Sequence, residues 1–211
     1  MSFAQFLLRS GVMQFGQFRL KSGASSPYFL NFGEVSSGAE LRELGGFLAG
    51  LIKARVPGAN VVLGPPYKAI SMAVATAMQL DRRGQPCAFL TFRKEEKAHG
   101  EGGMFLGHHL SNSDRIVLVD DVMTSGQTKL EALEMIRAEA CRLGLEPPRF
   151  EAVVVGVDRQ EAEGAVTAAQ AFTAETGLPV FSVATIRELA DELEGEISPD
   201  HHRALREYLE R

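Results

Sequence analysis

Short apolar segments of strand length alternate along the chain with longer segments of helical periodicity. The strand-like segments are 60–64, 87–92, 115–119, 150–156 and 179–184, and the helical segments between them are 38–55, 67–80, 126–143 and 161–176. Nearly continuous apolar strands separated by helices are typical of a parallel sheet that is covered on both faces. The pattern therefore predicts an α/β core over 36–184, with helices on both faces of a parallel sheet.

The two ends of the chain depart from this alternation. Residues 1–35 predict a helix followed by two short strands, 16–20 and 27–32, which we expect to form a small hood over one end of the sheet. Residues 185–211 predict two helices without recognisable chemistry. Because no internal repeat or low-complexity linker interrupts the sequence, we predict that the whole chain, 1–211, is one domain.

Composition and charge narrow the possible functions. The apolar runs are too short to cross a bilayer and the N-terminus lacks the pattern of a signal peptide, so we expect a cytoplasmic protein without a membrane partner. The net charge of −5 argues against a nucleic-acid partner. Cys87 and Cys141 match no metal-binding spacing, and we predict that both are reduced core residues.

The most specific pattern lies at 116–128, where an apolar strand is followed by Asp120 and Asp121 and then by a Thr/Ser/Gly loop that enters a helix. Ligands of such sheets bind beyond the carboxyl ends of the strands. The loop amides and the positive end of the helix would suit a phosphate monoester. The two acids would repel a phosphate, so we expect them to meet vicinal hydroxyls or Mg²⁺. In the alternative, they only end the strand and Thr124 or Ser125 caps the helix.

This segment resembles the signature of the type I phosphoribosyltransferases. The resemblance implies that Asp120 and Asp121 act in catalysis by meeting the ribose hydroxyls, with Mg²⁺ nearby and no first-shell protein ligand of the metal assured. It implies that the following residues bind phosphoribosyl diphosphate: Asp120, Asp121, Val122, Met123, Thr124, Ser125, Gly126, Gln127 and Thr128.

A polar loop at 93–103 reads RKEEKAHGEGG. Its cations and glycines favour a mobile loop that closes over a polyanion, although a solvated charged turn is the alternative. The loop is very similar to the catalytic loop of orotate phosphoribosyltransferases, RKExKxHGxGG. The resemblance implies that Arg93, Lys94, Lys97 and His99 bind phosphoribosyl diphosphate. It also gives catalytic roles to Lys97 and His99, with pyrophosphate as the expected hydrogen-bond partner of His99.

Two further segments resemble the same family. Residues 20–31 are similar to its hood segment, LKSGRxSPYFxN, and residues 64–70 to its diphosphate loop, GPAYKGI. The resemblance implies that Lys21, Tyr67 and Lys68 bind phosphoribosyl diphosphate and that Lys21 also acts in catalysis. The chain departs from these patterns at three positions, which are Ala24, Pro66 and Ala69.

The expected orotate site combines residues from several segments. A planar ring that carries a carboxylate suits a forked guanidinium, and Arg159 follows the strand 150–156. The resemblance implies that orotate is bound by Phe29, Leu30, Thr124 and Arg159. Without it, Phe29 would be expected in a core, and Arg159 would pair with Asp158 or Glu161.

Together these resemblances imply transfer of the 5-phosphoribosyl group from phosphoribosyl diphosphate to N1 of orotate. The products would be orotidine 5′-monophosphate, an intermediate of pyrimidine biosynthesis, and pyrophosphate. The family also implies a Mg²⁺ cofactor and a homodimer in which the 93–103 loop is shared across subunits. One alternative is a phosphoribosyltransferase for another base, which would lack this loop and the hood. A non-catalytic phosphoribosyl diphosphate-binding regulator is the other, and it would be expected to lose the catalytic lysines.

Overall fold

The structure of the protein, a computed structural model, describes residues 1–19, 23–93, 104–163 and 165–210, without the side chains of residues 162 and 163. These residues form two compact units. The smaller unit comprises residues 1–40 and 184–211, and the larger comprises residues 41–183. Both ends of the chain thus belong to the smaller unit. That the whole chain acts as one domain stays a prediction.

The elements follow the predicted order closely. In the N-terminal half they are α1 (Phe3–Arg9), β1 (Met13–Arg19), β2 (Ser25–Leu30), α2 (Gly38–Arg55), β3 (Val61–Leu63), α3 (Lys68–Arg82), β4 (Ala88–Phe92) and β5 (Phe105–Gly107). In the C-terminal half they are β6 (Arg115–Met123), α4 (Gln127–Arg142), β7 (Arg149–Asp158), β8 (Ala162–Glu163), β9 (Val166–Thr167), α5 (Ala168–Thr176), β10 (Val180–Thr185), α6 (Ile186–Glu192) and α7 (Pro199–Leu209).

The central sheet has the strand order β10-β7-β6-β3-β4-β5. Strands β3, β4, β6 and β7 pair in parallel, and the short β5 pairs antiparallel with β4. Leu118 and Val119 are neighbours on β6 and so point to opposite faces of the sheet, yet both are fully buried. On one face, Leu118 packs in a core with Leu133 and Ile136 of α4. The predicted parallel α/β sheet with both faces covered is confirmed.

The helix predicted over 161–176 was wrong at its start, and one strand was not predicted. The helix predicted from 161 begins only at 168, because Thr167 and Gln170 form a capping box that fixes its start. The residues before it form the small hairpin of β8 and β9. The pattern also missed β5, whose three residues are too few to show a strand period.

The smaller unit is built on a hairpin in which β1 and β2 pair antiparallel, with Met13 opposite Leu30. Helix α7 packs against β2, and the rings of Tyr28 and Tyr208 meet edge to face with their centroids 5.9 Å apart. His202 of α7 is hydrogen-bonded through Nε2 to the carbonyl of Ala190 in α6, at 2.9 Å. The C-terminal helices therefore complete the unit that begins with the predicted N-terminal helix and hairpin.

Two further findings concern the predictions from composition. Among the described residues, no helix combines the length and apolar character needed to span a bilayer. Cys87 is half-buried, whereas Cys141 is exposed. The prediction that both cysteines are core residues is wrong for Cys141, because Ala140 takes the inward position of α4 and the next residue is rotated away from the core.

Candidate active site

The paired acids lie within a strand rather than after one. Strand β6 was predicted to end at 119, but its ladder with β7 continues through Asp120, opposite Val155, to Met123, opposite Asp158. Backbone pairing tolerates polar side chains where a strand leaves the core, which explains why the apolar pattern ended too early. The sheet thus fixes the backbone of both acids at the carboxyl end of β6.

Asp120 is tied to a buried cation. Its Oδ2 accepts a hydrogen bond from Lys129 Nζ at 2.5 Å, and its Oδ1 accepts one from the backbone N–H of Asp121 at 2.9 Å. Lys129 Nζ also donates to the carbonyl oxygen of Val122 at 2.9 Å. The Lys129 side chain is 3% exposed and that of Asp120 is 14% exposed. The sequence analysis did not single out Lys129.

Asp121 has a different environment. Its Oδ2 lies 3.5 Å from Lys68 Nζ, and its Oδ1 accepts a hydrogen bond from the Val122 N–H at 2.8 Å. Burial raises the pKa of Asp121, the charge of Asp120 raises it further, and the cations Lys68 and Lys129 lower it; the net direction is upward. A raised pKa means that the ionised form is disfavoured here, so a ligand that donates hydrogen bonds or carries positive charge would relieve it.

The loop after β6 leads directly into α4. Gly126 is the N-cap of α4 with φ +78°, and a Cβ at this position would lie 2.9 Å from the Phe172 ring. Gly126 has no side chain to cap α4, and the Gln127 N–H donates a long hydrogen bond to Ser125 Oγ, with 3.5 Å between nitrogen and oxygen. The first amides of α4 are thus positioned to meet an anion. The Met123 side chain is fully buried in the core, so only its backbone could contact a ligand.

The predicted diphosphate loop connects β3 to α3. The N–H of Gly64 donates to the carbonyl of Leu90 at 2.9 Å, and Thr91 Oγ1 donates to the carbonyl of Gly64 at 2.7 Å, so the start of the loop is anchored to β4. The peptide bond between Pro66 and Tyr67 is cis. The Tyr67 side chain is largely exposed. The loop thus presents a ring and, through Lys68, a cation beside the acid pair.

The structure accommodates the three residues that depart from the family pattern, which are Ala24, Pro66 and Ala69. Ala69 is buried in the first turn of α3, which accommodates its methyl group, and Ala24 is exposed. Pro66 is partly buried and offers no N–H to a ligand.

Arg93 marks the start of the predicted catalytic loop. Its N–H donates to the carbonyl of Met104 at 2.7 Å, and Phe92 is paired with Phe105 in the ladder of β4 and β5. The chain thus leaves this ladder at Arg93 and rejoins it at the adjacent Met104. Four of the predicted site residues lie outside the described residues, and their roles stay predictions: Lys21, Lys94, Lys97 and His99.

Arg159 directly follows β7. Its backbone N–H lies 3.4 Å from the carbonyl of Met123, which joins it to the end of β6. Its side chain is 11% exposed, and Nε lies 3.2 Å from Glu161 Oε1. The alternative of a local ion pair with Glu161 is therefore present in this structure. Asp158, the other alternative partner, accepts from the N–H of Gln160 at 2.8 Å, and burial raises its pKa.

Two predicted orotate-binding residues belong to the smaller unit. Phe29 is 37% exposed and stacks on Phe18 with ring centroids 5.5 Å apart. It is therefore not the core residue that the alternative interpretation expected. Leu30 is 6% exposed and belongs to the core of its unit. Their contact with orotate stays a prediction.

The described residues contain no cluster of three or more histidine, cysteine, aspartate or glutamate side chains that could hold a metal ion. Asp120 and Asp121 are adjacent, but Lys129 occupies Oδ2 of Asp120. Any Mg²⁺ at this place would need most of its oxygen ligands from a substrate or from water.

Comparison with known proteins identifies the family to which the chain belongs. Residues 37–161 match the family described as "Phosphoribosyl transferase domain". The chain is 42% identical to an orotate phosphoribosyltransferase of Stenotrophomonas maltophilia over 90% of this chain and 84% of that one. It is 38% identical to one of Bifidobacterium adolescentis over 89% of this chain and 82% of that one. A crystal structure of orotate phosphoribosyltransferase from Francisella tularensis superposes with a TM-score of 0.78 at 28% identity, covering 98% of this chain and 96% of that one.

Proposed function

Since the chain belongs to the phosphoribosyl transferase family and, within it, to the orotate phosphoribosyltransferases, we propose that it transfers the 5-phosphoribosyl group from phosphoribosyl diphosphate to N1 of orotate. The products are orotidine 5′-monophosphate and pyrophosphate, and the reaction belongs to pyrimidine biosynthesis. The family predicted from the sequence is confirmed. A cytoplasmic location remains our proposal.

One observation carries the proposal, namely the meeting of three strand ends in the larger unit. Lys68 comes after β3, Asp121 lies near the end of β6, and Arg159 comes after β7. Lys68 Nζ lies 3.5 Å from Asp121 Oδ2, and the backbone of Arg159 meets that of Met123. Three groups therefore lie at one edge of the sheet. They are a cation that suits a diphosphate, an acid that suits ribose hydroxyls, and a forked guanidinium that suits a carboxylate.

We propose the following roles for phosphoribosyl diphosphate. The residues 124–128 and the first amides of α4 hold the 5′-phosphate, because this turn joins small side chains to the positive end of a helix. Asp120 and Asp121 accept hydrogen bonds from the ribose hydroxyls. Lys68, and Lys21 and Arg93 by resemblance, neutralise the diphosphate together with the 93–103 loop. Charge neutralisation of this leaving group and positioning of orotate supply most of the rate enhancement.

For orotate, we propose that Arg159 binds the carboxylate, with Phe29, Leu30 and Thr124 completing the site by resemblance. In this structure the guanidinium pairs with Glu161, whose side chain is 40% exposed. Because Glu161 is partly exposed, water can solvate its carboxylate once a ligand carboxylate takes its place beside Arg159. Glu161 would then keep the guanidinium oriented until orotate binds.

We propose Mg²⁺ as the cofactor. The two acids suit its usual mode of binding, through one or two carboxylates together with substrate oxygens, rather than a cage made of protein ligands alone. Bound with the substrate, the ion would supply charge neutralisation at the diphosphate. Asp121 is better placed than Asp120 to approach such a complex, because Asp120 is already paired with Lys129.

We also propose a two-fold dimer in which the 93–103 loop closes over the site of the neighbouring subunit. A C₂ interface makes such an exchange reciprocal. Lys97→Ala and Asp121→Asn should each be nearly inactive alone. When equal amounts of the two variants are mixed and exchange subunits, half of the dimers are hybrids. Each hybrid has one intact site of two, which restores roughly a quarter of the wild-type activity. Recovery of no activity, with hybrid dimers verified by labelled subunits, would rule out the shared site.

Turnover is tested by following the absorbance of orotate with phosphoribosyl diphosphate and Mg²⁺. We expect consumption of orotate that depends on both additions, and no turnover of uracil, adenine or hypoxanthine. Arg159→Lys should slow the reaction, whereas Arg115→Lys, which keeps a cation in a pair 2.8 Å from Glu151 at the opposite end of β6, serves as the matched control. Turnover of another base would support a phosphoribosyltransferase for that base. Binding of phosphoribosyl diphosphate without turnover of any base would support a non-catalytic regulator.

A further inference from the structure

Helix α4 carries a lysine on the face where the other residues are apolar. The buried residues of this helix are Lys129, Ala132, Leu133, Ile136 and Ala140, at the spacing of one helical face. A lysine at such a position has to find a partner, because a buried ammonium without one is strongly disfavoured. Here it finds two oxygen atoms at the end of β6, the Asp120 carboxylate and the Val122 carbonyl.

This arrangement fixes the direction of one acid of the pair. Asp120 Oδ2 is bound by Lys129 at 2.5 Å and Oδ1 by the Asp121 N–H at 2.9 Å, so both oxygens of the carboxylate are restrained. Val122, whose carbonyl is the second acceptor, is also the residue whose N–H binds Asp121 Oδ1, at 2.8 Å. One ammonium group thereby connects the helix to the backbone beneath both acids.

Lys129 also balances charge at this place. Asp120 and Asp121 are adjacent and both largely buried, and two carboxylates so close repel each other unless a cation lies between or beside them. The other described cation in contact with the pair is Lys68, which lies 3.5 Å from Asp121 and is about half exposed. Lys68 is proposed to bind the diphosphate, so it cannot serve Asp121 alone when the substrate is bound. Lys129 has a side chain that is only 3% exposed and is assigned no contact with the diphosphate, so it can serve Asp120 with the substrate bound.

We propose that Lys129 is a positioning residue of the reaction, which acts through Asp120 by holding its carboxylate in the direction required by a ribose hydroxyl. The inference rests on the proposed function, because it assigns Asp120 to the ribose. Lys129 itself contacts no substrate. Its contribution is to restrict the carboxylate before binding, and misplacement of such a group by about 1 Å can lower a rate on the order of 100-fold.

The test is a double-mutant cycle with Lys129→Met, Asp120→Asn and the combined variant. Methionine keeps an unbranched apolar side chain that extends as far as the lysine Cε, and it lacks the ammonium. We expect Lys129→Met to lower kcat/KM for phosphoribosyl diphosphate by about 10- to 100-fold, and to leave the KM for orotate within about twofold. In the Asp120→Asn background the same change should cost less than about threefold, because the charged carboxylate that Lys129 positions has been replaced by a neutral amide.

Two further variants separate positioning from mere support of the fold. Lys129→Gln offers a neutral donor on a side chain one heavy atom shorter, and should recover a small part of the lost kcat/KM. Arg115→Met is the matched control, since it removes a cation from an ion pair at the other end of β6, 2.8 Å from Glu151. It should leave the kinetic constants unchanged at temperatures well below its melting point. All variants are assayed after thermal unfolding shows that they are folded at the assay temperature.

The outcomes separate this inference from the proposed function. Wild-type protein that does not consume orotate would overturn both. Active wild-type protein whose Lys129→Met variant loses activity equally in both backgrounds would overturn the positioning role alone. The same holds if the variant loses only thermal stability with unchanged kinetic constants, or if it chiefly raises the KM for orotate. If Lys129→Met does not fold, the cycle is repeated with Lys129→Gln. Equal losses of activity in the wild-type and Asp120→Asn backgrounds would then overturn the positioning role.

Discussion

The two adjacent acids should respond in opposite ways when each is replaced by asparagine. Asp120 has a buried cationic partner, whereas the surroundings of Asp121 disfavour its ionised form. We therefore expect Asp120→Asn to lower the melting temperature of the substrate-free protein near neutral pH. Asp121→Asn should leave the melting temperature unchanged or raise it.

The size of the first effect follows from the ion pair. A hydrogen bond to a charged group contributes about 1.5–3 kcal/mol, and loss of one partner of a buried pair can cost about 3–5 kcal/mol. Asparagine can still accept a hydrogen bond from Lys129, so we expect about 2–3 kcal/mol for Asp120→Asn. For a chain of this length each kcal/mol shifts the melting temperature by roughly 2–4 °C, which gives a decrease of about 4–12 °C.

The sign of the second effect follows from proton linkage. The pKa of Asp121 is raised in the folded protein, so the folded state binds its proton more tightly than the unfolded chain does. The stability associated with this group is present below the unfolded pKa and is lost as the pH rises through the folded pKa. Near neutral pH the ionised carboxyl therefore opposes folding, and asparagine removes that charge while its oxygen can still accept from the Val122 N–H.

Differential scanning calorimetry of the two variants and the wild type, without substrate and in one buffer, measures both effects. Equal melting temperatures for wild type and Asp120→Asn would show that the pair with Lys129 contributes no net stability. A decrease for Asp121→Asn as large as that for Asp120→Asn would refute the distinction between the two environments.

Three other variants or conditions give further tests. The stability advantage of Asp121→Asn over wild type should shrink as the pH is lowered towards the ordinary carboxyl range, which calorimetry over a pH series would show, and a constant difference would contradict the linkage. Arg159→Lys should raise the KM for orotate by about 10- to 100-fold, because one charged contact is lost. The affinity for phosphoribosyl diphosphate, measured by calorimetric titration, should be nearly unchanged. An unaltered KM for orotate would remove Arg159 from the base site. Gly126→Ala should destabilise the protein by about 1–3 kcal/mol and weaken phosphoribosyl diphosphate binding, because its methyl group would press on Phe172 at a positive φ; normal binding would argue against a tight turn at the phosphate.

The sequence predicted the sheet well because its strands are apolar on both faces, and such segments have little choice of environment. The helix over 38–55 was predicted with the bounds that the structure shows. The helix predicted from 161 failed because alanine and glutamate favour a helix over the whole stretch, while the capping box at Thr167 determines where it begins. β5 depends on pairing with β4, which is a long-range contact that cannot be predicted from its own three residues.

The candidate site could be located from the sequence where its residues are consecutive, as at 116–128, and less well where it depends on contacts across the sheet. Lys68 was singled out by resemblance, but its approach to Asp121 joins residues 53 positions apart. Lys129 was missed although it carried a signal, since a lysine at an apolar position of α4 follows Asp120 by nine residues. A charged residue on the apolar face of a helix, next to a strand end that carries candidate site residues, is therefore informative in its own right.

The most direct test of the central claim is the stoichiometry of the products. Wild-type protein is incubated with phosphoribosyl diphosphate, Mg²⁺ and a limiting amount of orotate, and the products are quantified by mass spectrometry and phosphorus NMR. The account predicts one orotidine 5′-monophosphate and one pyrophosphate for each orotate consumed, and no pyrophosphate above the uncatalysed level when orotate is omitted. Pyrophosphate release that does not depend on orotate, or a nucleotide product other than orotidine 5′-monophosphate, would contradict it.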